Sequence, residues 1–424
     1  MPSPFLQSAI SNLKFPLPCY HQLSPIERMD FSLTSDQLLI RDTVRQFMET
    51  EVRPILRTCE RENKFPAAEF RRLGELGCCG MLIPEEWGGA GADTISYALM
   101  LEEVARVDAS FAVALSVTNS VAAVPIWKHG SKEQKQKYLR PLAHGEFLGS
   151  FCLTEPQAGS DAAALRATAA KQGGEYILNG TKAWVTNGGV SGVYLVFAKT
   201  APSAGARGVT AFLVEPSFPG FRVSRYEEKM GLHLSRSAEI VLQDCRVPAA
   251  NRLGEEGQGL KIALESLDGG RVGIAAQAVG VAQGAMECAV RFARERHTFG
   301  HPIAEYQAIQ WMLADMQTEI AAARALTLQA AFIRDQESRH PETSSDPRRS
   351  RLGPHASRAK LYASEMANRV AYRAVQVHGS MGYSRESDVE RFYRDARVLT
   401  IYEGTSEMQR TVIARDLLRG REGK

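Results

Sequence analysis

The sequence is poor in cysteine and in net charge, and each shortage excludes a class of protein. Its seven cysteines are scattered without metal-ligand spacing, and Cys78 and Cys79 are adjacent rather than a C-x-x-C pair. This pattern predicts reduced thiols in a cytosol-like compartment, not a disulfide framework or a zinc site. The 51 basic and 48 acidic residues leave a net charge of +3. Such a balance gives no electrostatic reason to expect a nucleic-acid or membrane partner.

Other signals are also missing. We expect no membrane span, because the longer apolar stretches are interrupted by polar residues. We find no P-loop, metal cluster or nucleophile-elbow sequence. Residues 1–28 are proline-rich, low in charge and without a signal-peptide pattern, so we predict a disordered N-terminal extension. Because a convincing domain start follows Met29 at once, an overlong start site is a reasonable hypothesis for this extension.

The remaining residues are enough for two or three domains, and their periodicity changes twice. Residues 29–146 show helical spacing, beginning with a capping box at Thr34 and Gln37. Residues 147–258 contain short β-branched and aromatic runs separated by Gly, Asn and Pro. Residues 259–424 are helical again. The predicted fold class is α+β, with an N-terminal α-helical domain, a small antiparallel β-domain and a C-terminal domain like a four-helix bundle.

Three local predictions accompany this organisation. Asn179-Gly180 between apolar runs predicts a type I′ hairpin. Asp268–Arg271 interrupts an alanine-rich helical pattern that runs from Leu260 to His297. Gln336–Pro354 is polar and proline-containing, which predicts a mobile surface loop. Its arginines could bind an anion, although a solvated loop is the simpler interpretation; they are Arg348, Arg349 and Arg351.

The stretch IYEGTSEMQR places Glu403 between Tyr402 and Gly404, just before a helix signal. Gly404 can serve as the N-cap, with Glu407 three residues on. An apolar, aromatic setting raises the pKa of a glutamate toward the range in which a general base works best. From this decapeptide alone, however, a solvated glutamate that caps the last helix is the favoured interpretation.

Two further stretches offer groups to a ligand. Phe151–Asp161 leaves a predicted strand and enters a Gly/Ser turn with free hydroxyls and amides. By physics alone an ordinary turn at a sheet edge is the favoured explanation. Trp184 follows the predicted hairpin, and a tryptophan in a strand usually belongs to the core. The two glycines of Asp268–Arg271 cost helix stability, which suggests close approach to the backbone or plain packing.

Together these motifs resemble the acyl-CoA dehydrogenases over about residues 29–420. The resemblance rests on IYEGTSE, on TEPQAGSD from Thr154, on WVTNG from Trp184, on RHTFG from Arg296 and on QVHGSMG from Gln376. It implies that Glu403 is the base that removes the substrate's α-proton. It also implies bound FAD, with Trp184 on the flavin face remote from the substrate and Thr186 at the ring's reactive edge.

The resemblance also implies which residues contact the cofactor, and these lie in or near the five motifs. The residues are Phe151, Leu153, Thr154, Gly159, Ser160, Trp184, Val185, Thr186, Arg296, Phe299, Gln307, Gln376, Val377, His378, Gly379, Ser380, Thr405, Ser406 and Glu407. Arg296 and its neighbours would reach the FAD of an adjacent subunit. The implied substrate contacts are Ser160, Asp268, Gly269, Gly270, Arg271 and Gly404.

The chain departs from the family pattern in a few places. Some members that act on branched or very long chains carry their glutamate where this chain has Gly270, which favours Glu403 as the single base. Ser380 stands where Gly is usual, and His233 or Leu234 where Arg is more common. His378 is expected to be structural. The segment LDGGRVGIAAQAVGVAQ is most similar to that of short-chain, butyryl-type members.

The resemblance therefore implies dehydrogenation of a short-chain acyl-CoA to the trans-2-enoyl-CoA, as in fatty acid β-oxidation. Electrons would pass to an electron-transfer flavoprotein, and the expected assembly is a homotetramer in a bacterial cytoplasm or a mitochondrial matrix. Rival functions are a branched-chain, medium-chain or carrier-bound acyl dehydrogenase, an acyl-CoA oxidase, and a non-catalytic assembly relative. A nitroalkane-oxidising relative would favour Asp over Glu403 as the base.

Overall fold

A computed structural model describes residues 32–339 and 352–418. The predicted capping box is confirmed, since Gln37 N donates to Thr34 Oγ1 at 3.2 Å and Thr34 N to Gln37 Oε1 at 3.0 Å. The predicted extension, residues 1–28, lies outside the described residues. The N-terminal helices are α1 Ser35–Phe47, α2 Leu56–Arg61, α3 Ala67–Glu75, α4 Thr94–Val107, α5 Ala109–Ser116, α6 Val124–His129, α7 Lys132–Gln134 and α8 Arg140–Ala143.

A π-helical turn, Val117–Ala123, joins α5 and α6 into one helical segment, Ala109–His129. Among the described residues this one segment is long and apolar enough, by length and composition, to cross a membrane. Our expectation that no stretch meets that test is therefore wrong. The apolar part of the segment is nevertheless entirely buried inside the protein, where it packs against the sheet and the long C-terminal helices.

The middle of the chain forms a sheet with the strand order β6-β7-β3-β2-β4-β5-β8, and β1 pairs with β4. Most pairs are antiparallel as predicted, but β1 and β2 both run parallel to β4, so the sheet is mixed. Alternate residues of β4 enter two different cores, which explains its almost continuous apolar sequence. The strands are β1 Leu148–Cys152, β2 Thr168–Gln172, β3 Glu175–Thr186, β4 Ser191–Lys199, β5 Val209–Val214, β6 Phe221–Tyr226, β7 Ser237–Pro248 and β8 Arg252–Leu253.

The hairpin predicted at Asn179-Gly180 is wrong. Both residues lie inside β3, where the pairing with β7 shifts register, which is typical of a β-bulge. The side chain of Asn179 exchanges hydrogen bonds with Asp244 of β7, in place of the backbone hydrogen bonds that pair the two strands. The two-residue turn is instead at Gly173–Gly174 between β2 and β3, where the φ of +58° at Gly173 suits a residue without Cβ.

The C-terminal part is built around one very long helix. This helix, α9, is continuous through Asp268–Arg271, so the predicted interruption there is wrong. Its neighbours are α4, α10 and α11, and together they enclose the largest apolar core. A short ribbon follows it. The elements are α9 Gly259–Glu295, β9 His297–Thr298, β10 His301–Pro302, α10 Gln307–Arg339, α11 Leu352–His378, α12 Asp388–Ala396 and α13 Ser406–Leu418.

The loop predicted at Gln336–Pro354 is wrong at both of its ends. Helix α10 continues to Arg339 and α11 begins at Leu352, so both ends of the predicted loop are helical. Residues 340–351, with Arg348, Arg349 and Arg351, lie outside the described residues.

Candidate active site

Glu403 lies in a tight turn that enters α13. Its φ is +54° and that of Gly404 is +88°, so two consecutive residues adopt the left-handed conformation. Non-glycine residues avoid this region because it costs free energy, and such strain is concentrated at functional sites. The helix cap differs from our prediction, because Thr405, not Gly404, accepts a hydrogen bond from Met408 N at 3.3 Å. Gly404 is one residue too early, since α13 begins at Ser406.

Among the described residues, the carboxylate of Glu403 has an unpartnered oxygen. Its Oε2 is buried and has no hydrogen-bond partner within the part of the chain that the structure describes. Burial raises the pKa of Glu403 to about 7, against the opposing charges of Arg271 and Lys360. The solvated-cap interpretation of this residue is thereby excluded. A carboxyl group that titrates near neutral pH, with one free oxygen, can act as a general base.

Helix α9 supplies the surface against which Glu403 lies. A Cβ added to Gly270 would come within 2.6 Å of Glu403 Oε2, and one added to Gly269 within 2.8 Å of Arg334 Nη1. One turn further, a Cβ at Gly273 would meet the hydroxyl of Tyr97 at 2.6 Å. The glycines in this helix therefore permit close approach of side chains from three neighbouring elements.

Three residues that support this turn were not found by sequence reasoning. Tyr402 donates its hydroxyl to Gln277 Oε1 at 2.7 Å, and Gln277 in turn binds a backbone carbonyl of α5 at 2.7 Å. Lys360 of α11 donates to the carbonyl of Gly404 at 2.8 Å. The sequence gives no signal for Gln277 or Lys360, because the hydrogen-bond partner of each is distant along the chain.

The segment after β1 is fixed by a buried ion pair that the sequence did not predict. Lys182 Nζ lies 2.7 Å from Glu155 Oε1, and their side chains are 0% and 3% exposed. Glu155 also accepts the backbone N–H groups of Arg166 and Ala167. Burial would raise the pKa of Glu155, but the charge of Lys182 and these hydrogen bonds outweigh it and hold the pKa below its ordinary value.

Predicted cofactor residues line the open side of this segment. Gly159 and Ser160 are exposed, Phe151 and Thr154 are half-buried, and Leu153 is buried. An added Cβ at Gly159 would meet nothing within 4 Å. The segment around Gly159 and Ser160 thus presents hydroxyl and backbone groups to open space.

Trp184 is not a core residue. It is 60% exposed and its φ is +58°, while Val185 is buried beneath it. The carbonyl of Thr186 accepts a hydrogen bond from Ser150 Oγ at 2.7 Å, which ties β3 to β1. The buried Asn187, also left-handed, donates to carbonyls of α5 and β1 at 3.1 and 3.0 Å. These contacts fix the backbone that presents the Trp184 indole.

The remaining predicted residues lie elsewhere on the surface. Arg296, Phe299 and Gln307 are exposed, Phe299 by 91%, and within the described ranges none hydrogen-bonds to the Glu403 turn. At the end of α11, His378 stacks on Phe292 and its Nδ1 lies 2.8 Å from a backbone oxygen. In the same segment Val377 is buried, whereas three neighbours are exposed: Gln376, Gly379 and Ser380.

The residues that follow Gly404 begin α13. Ser406 Oγ is buried and, among the residues with described positions, has no hydrogen-bond partner. Glu407 is exposed and Thr405 is half-buried. The structure therefore brings together Glu403, Gly404, Gly270 and Arg271, with a second cluster from β1 and β3.

Models of a known protein family match all three parts of the chain. The family model "Acyl-CoA dehydrogenase, N-terminal domain" matches residues 34–146, the middle-domain model matches 150–245 and the C-terminal-domain model matches 257–418. The acryloyl-CoA reductase (NADH) of Anaerotignum propionicum is 45% identical over 93% of this chain and 97% of its own length. The mitochondrial short-chain specific acyl-CoA dehydrogenase of Mus musculus is 45% identical over 90% of both chains.

Solved structures are similar at the level of the fold. A chain described under "Electron transferring flavoprotein of Acidaminococcus fermentans" has a TM-score of 0.88 and 44% identity, covering 92% of this chain and 100% of that one. Butyryl-CoA dehydrogenase from Megasphaera elsdenii has a TM-score of 0.87 and 42% identity, with the same coverage. Similarity of this extent across all three segments shows that the chain belongs to the acyl-CoA dehydrogenase family.

Proposed function

We propose that this protein is an FAD-dependent dehydrogenase that converts a short-chain acyl-CoA to the trans-2-enoyl-CoA, with Glu403 as the base. The observation that carries the proposal is the carboxylate of Glu403, with its buried, unpartnered Oε2 and a pKa of about 7. Such a base is about half ionised at neutral pH and can take a proton without losing a hydrogen bond. Membership of the family supports the reaction class.

The same turn offers a donor for the substrate's thioester oxygen. Within residues 32–339 and 352–418, the backbone N–H of Glu403 makes no hydrogen bond. Removal of an unactivated α-proton places negative charge on the thioester oxygen, and a fixed N–H group stabilises such charge. In this proposal Glu403 contributes twice, with its carboxylate to the α-proton and with its N–H to the oxygen.

The residues present fit FAD. The exposed indole of Trp184 offers a flat face, the open segment at Gly159 and Ser160 offers backbone and hydroxyl groups, and Ser406 Oγ lacks a partner in the described structure. FAD, when bound, accepts the hydride that leaves the β-carbon. We propose the other predicted contacts for FAD as well, with Arg296 as a paired donor for its diphosphate.

A short acyl chain suits the helices beside Glu403. Tyr97 of α4 is fully buried, and its hydroxyl lies within 2.6 Å of where a Cβ on Gly273 would be. Helices α4 and α9 are therefore in direct contact one turn from Gly270, and we propose that this contact limits the length of the acyl chain. We propose substrate contacts at the residues singled out from the sequence: Ser160, Asp268, Gly269, Gly270, Arg271 and Gly404.

We also propose an electron-transfer flavoprotein as the acceptor and a homotetramer as the assembly. The structural similarity to the Acidaminococcus fermentans protein supports such an acceptor. Bacterial and mitochondrial relatives support a cytoplasmic or mitochondrial-matrix location. The proposed domains are residues 29–146, 147–258 and 259–424. The similarity to an acryloyl-CoA reductase makes the reverse reaction a second candidate.

The first test is anaerobic titration of the purified protein with butyryl-CoA, followed by the visible flavin spectrum. We expect bleaching in the wild type, whereas Glu403→Gln should keep FAD and reduce flavin roughly 10²–10⁴-fold more slowly. The exposed Glu75 gives a matched control, Glu75→Gln, with the wild-type rate. Wild-type turnover in Glu403→Gln would reject the assignment.

The same preparation distinguishes the rivals. Rapid reoxidation in air would indicate an oxidase, and flavin that stays oxidised with butyryl-CoA would direct the search to branched, longer or carrier-bound acyl groups. Reoxidation of reduced flavin by an enoyl-CoA would measure the reverse reaction. Protein that cannot be reconstituted with FAD would favour the non-catalytic relative.

A further inference from the structure

Lys360 is a fully buried lysine beside the Glu403 turn. It lies on α11, is 0% exposed, and its Nζ donates to Gly404 O at 2.8 Å. Among the described residues this is its only hydrogen bond, although an ammonium group can donate three. Burial of a cation with one neutral acceptor costs free energy. A methionine would fill the same space without that cost, so the charge needs an explanation.

The acceptor is the carbonyl that closes the strained turn. Gly404 O receives a second hydrogen bond, from Gln409 Nε2 at 2.8 Å, and the same amide reaches Glu403 O at 3.2 Å. Two donors therefore converge on the carbonyl of Gly404, the residue after Glu403, whose own φ is +54°. Left-handed backbone at a non-glycine residue costs free energy and persists where neighbouring groups hold it.

Lys360 also acts on the carboxylate through its charge. Its pKa is lowered to about 8, mainly by burial, with the charge of Glu403 opposing that effect. In the other direction, a nearby ammonium favours the ionised carboxylate and so lowers the pKa of Glu403. The charged or titratable groups that surround the two residues are Arg271 on α9, Glu365 on α11, Glu407 on α13, Tyr97 on α4, and Tyr402 beside Glu403.

We propose that Lys360 is a positioning residue for the base: it holds the Gly404 carbonyl, and with it the left-handed turn that directs the Glu403 carboxylate, and it places its ammonium charge near that carboxylate. The inference rests on the proposed role of Glu403 and assigns Lys360 no contact with substrate.

Three variants of the FAD-loaded protein separate the two effects. Lys360→Met removes donor and charge, Lys360→Gln keeps a donor, and Lys360→Arg keeps both. The first readout is the rate of anaerobic flavin reduction by butyryl-CoA as a function of pH. The second is infrared difference spectroscopy of the protonated Glu403 carboxyl in protein without substrate, with Glu403→Gln used to identify the band. Lys171→Met, at an exposed lysine of β2, is the matched control.

We expect Lys360→Met and Lys360→Gln to move the Glu403 titration upward by about one pH unit in both readouts, because the stabilising charge is lost. Lys360→Met should also lower the maximal rate at least about tenfold, since the turn is no longer held, and Lys360→Gln should lower it less. Lys360→Arg should retain most of the wild-type titration.

Unchanged titration midpoints in Lys360→Met and Lys360→Gln would overturn the inference. Failure of both variants to fold with FAD would also overturn it, because Lys360 would then have a purely structural role. Glu403→Gln, measured in parallel, separates this failure from that of the proposed function. If Glu403→Gln is inactive while the Lys360 variants match the wild type, only the inference about Lys360 is lost.

Discussion

The carboxylate of Glu403 lies directly against the backbone of Gly270, and this contact determines which side chains position 270 can carry. A Cβ there would lie 2.6 Å from Oε2 and 3.1 Å from the carboxyl carbon. Real Cβ atoms do not approach an oxygen so closely, so the glutamate would have to move. A second glutamate at position 270 is excluded unless Glu403 leaves its present place.

Gly270→Ala should therefore lower the rate of flavin reduction by butyryl-CoA at least about tenfold, because a displacement of a few tenths of an ångström misaligns the base. Stability should change little, since Ala favours the helix by about 1 kcal/mol and offsets part of the clash. Gly353→Ala is the control, because its Cβ would come no closer than 3.6 Å to Asp268. Equal rates in the two variants would contradict the role assigned to this contact.

At this scale the local pattern was not sufficient. IYEGTSE singled out Glu403 through its resemblance to the family motif, whereas the decapeptide alone favoured a solvated cap, which the buried Oε2 excludes. Lys360 carried no such signal, because its acceptor is a backbone carbonyl brought to it only by the fold. The exposure of Trp184 was equally hidden, since strand propensity favours burial and only a left-handed backbone turns this side chain outward.

Strand β3 shows the same limit for secondary structure. Asn179-Gly180 has the composition of a two-residue turn, yet the strand continues through it because β7 offers partners on both sides of the bulge. The helical elements were easier to predict, since apolar spacing extends over many residues. Helix α9 tolerates its glycines because their missing side chains are replaced by contacts with Arg334 and Glu403.

The bulge gives a prediction about β3. A Cβ at Gly180 would lie 2.6 Å from the Cβ and 2.8 Å from the Cα of Ala167. Gly180→Ala should therefore lower the free energy of unfolding by about 1–3 kcal/mol, measured by urea denaturation. Gly174→Ala, in the observed turn, would meet nothing within 4 Å and should stay within about 0.5 kcal/mol of the wild type. A harmless Gly180→Ala would mean that the strand can shift to relieve the contact.

The three parts of the molecule meet at one charged junction. Glu60 of α2 binds His233 of the β6–β7 loop at 2.8 Å and Arg394 of α12 at 2.9 Å. The backbone N–H of Leu232, in the same loop, donates to Asp395 of α12 at 2.6 Å. His233 therefore connects the β-domain with both helical parts of the protein. Whole-molecule stability should depend on the ionisation of Glu60.

The pH dependence of that contribution follows from the pKa of Glu60. Burial would raise it, but the hydrogen bond with His233 and the charge of Arg394 hold the pKa at about 2, below the ordinary 4.5. A depressed carboxyl pKa stabilises the folded state above pH 4.5, and this stabilisation is lost as the pH falls toward 2. Glu60→Gln should therefore lower the free energy of unfolding by roughly 2–3 kcal/mol at pH 7, and by progressively less below about pH 4.5, as measured by urea unfolding. Glu62→Gln, at an exposed neighbour, should show no such pH-dependent difference; a loss for Glu60→Gln that stayed constant down to pH 3 would instead indicate that packing, not charge, holds the junction.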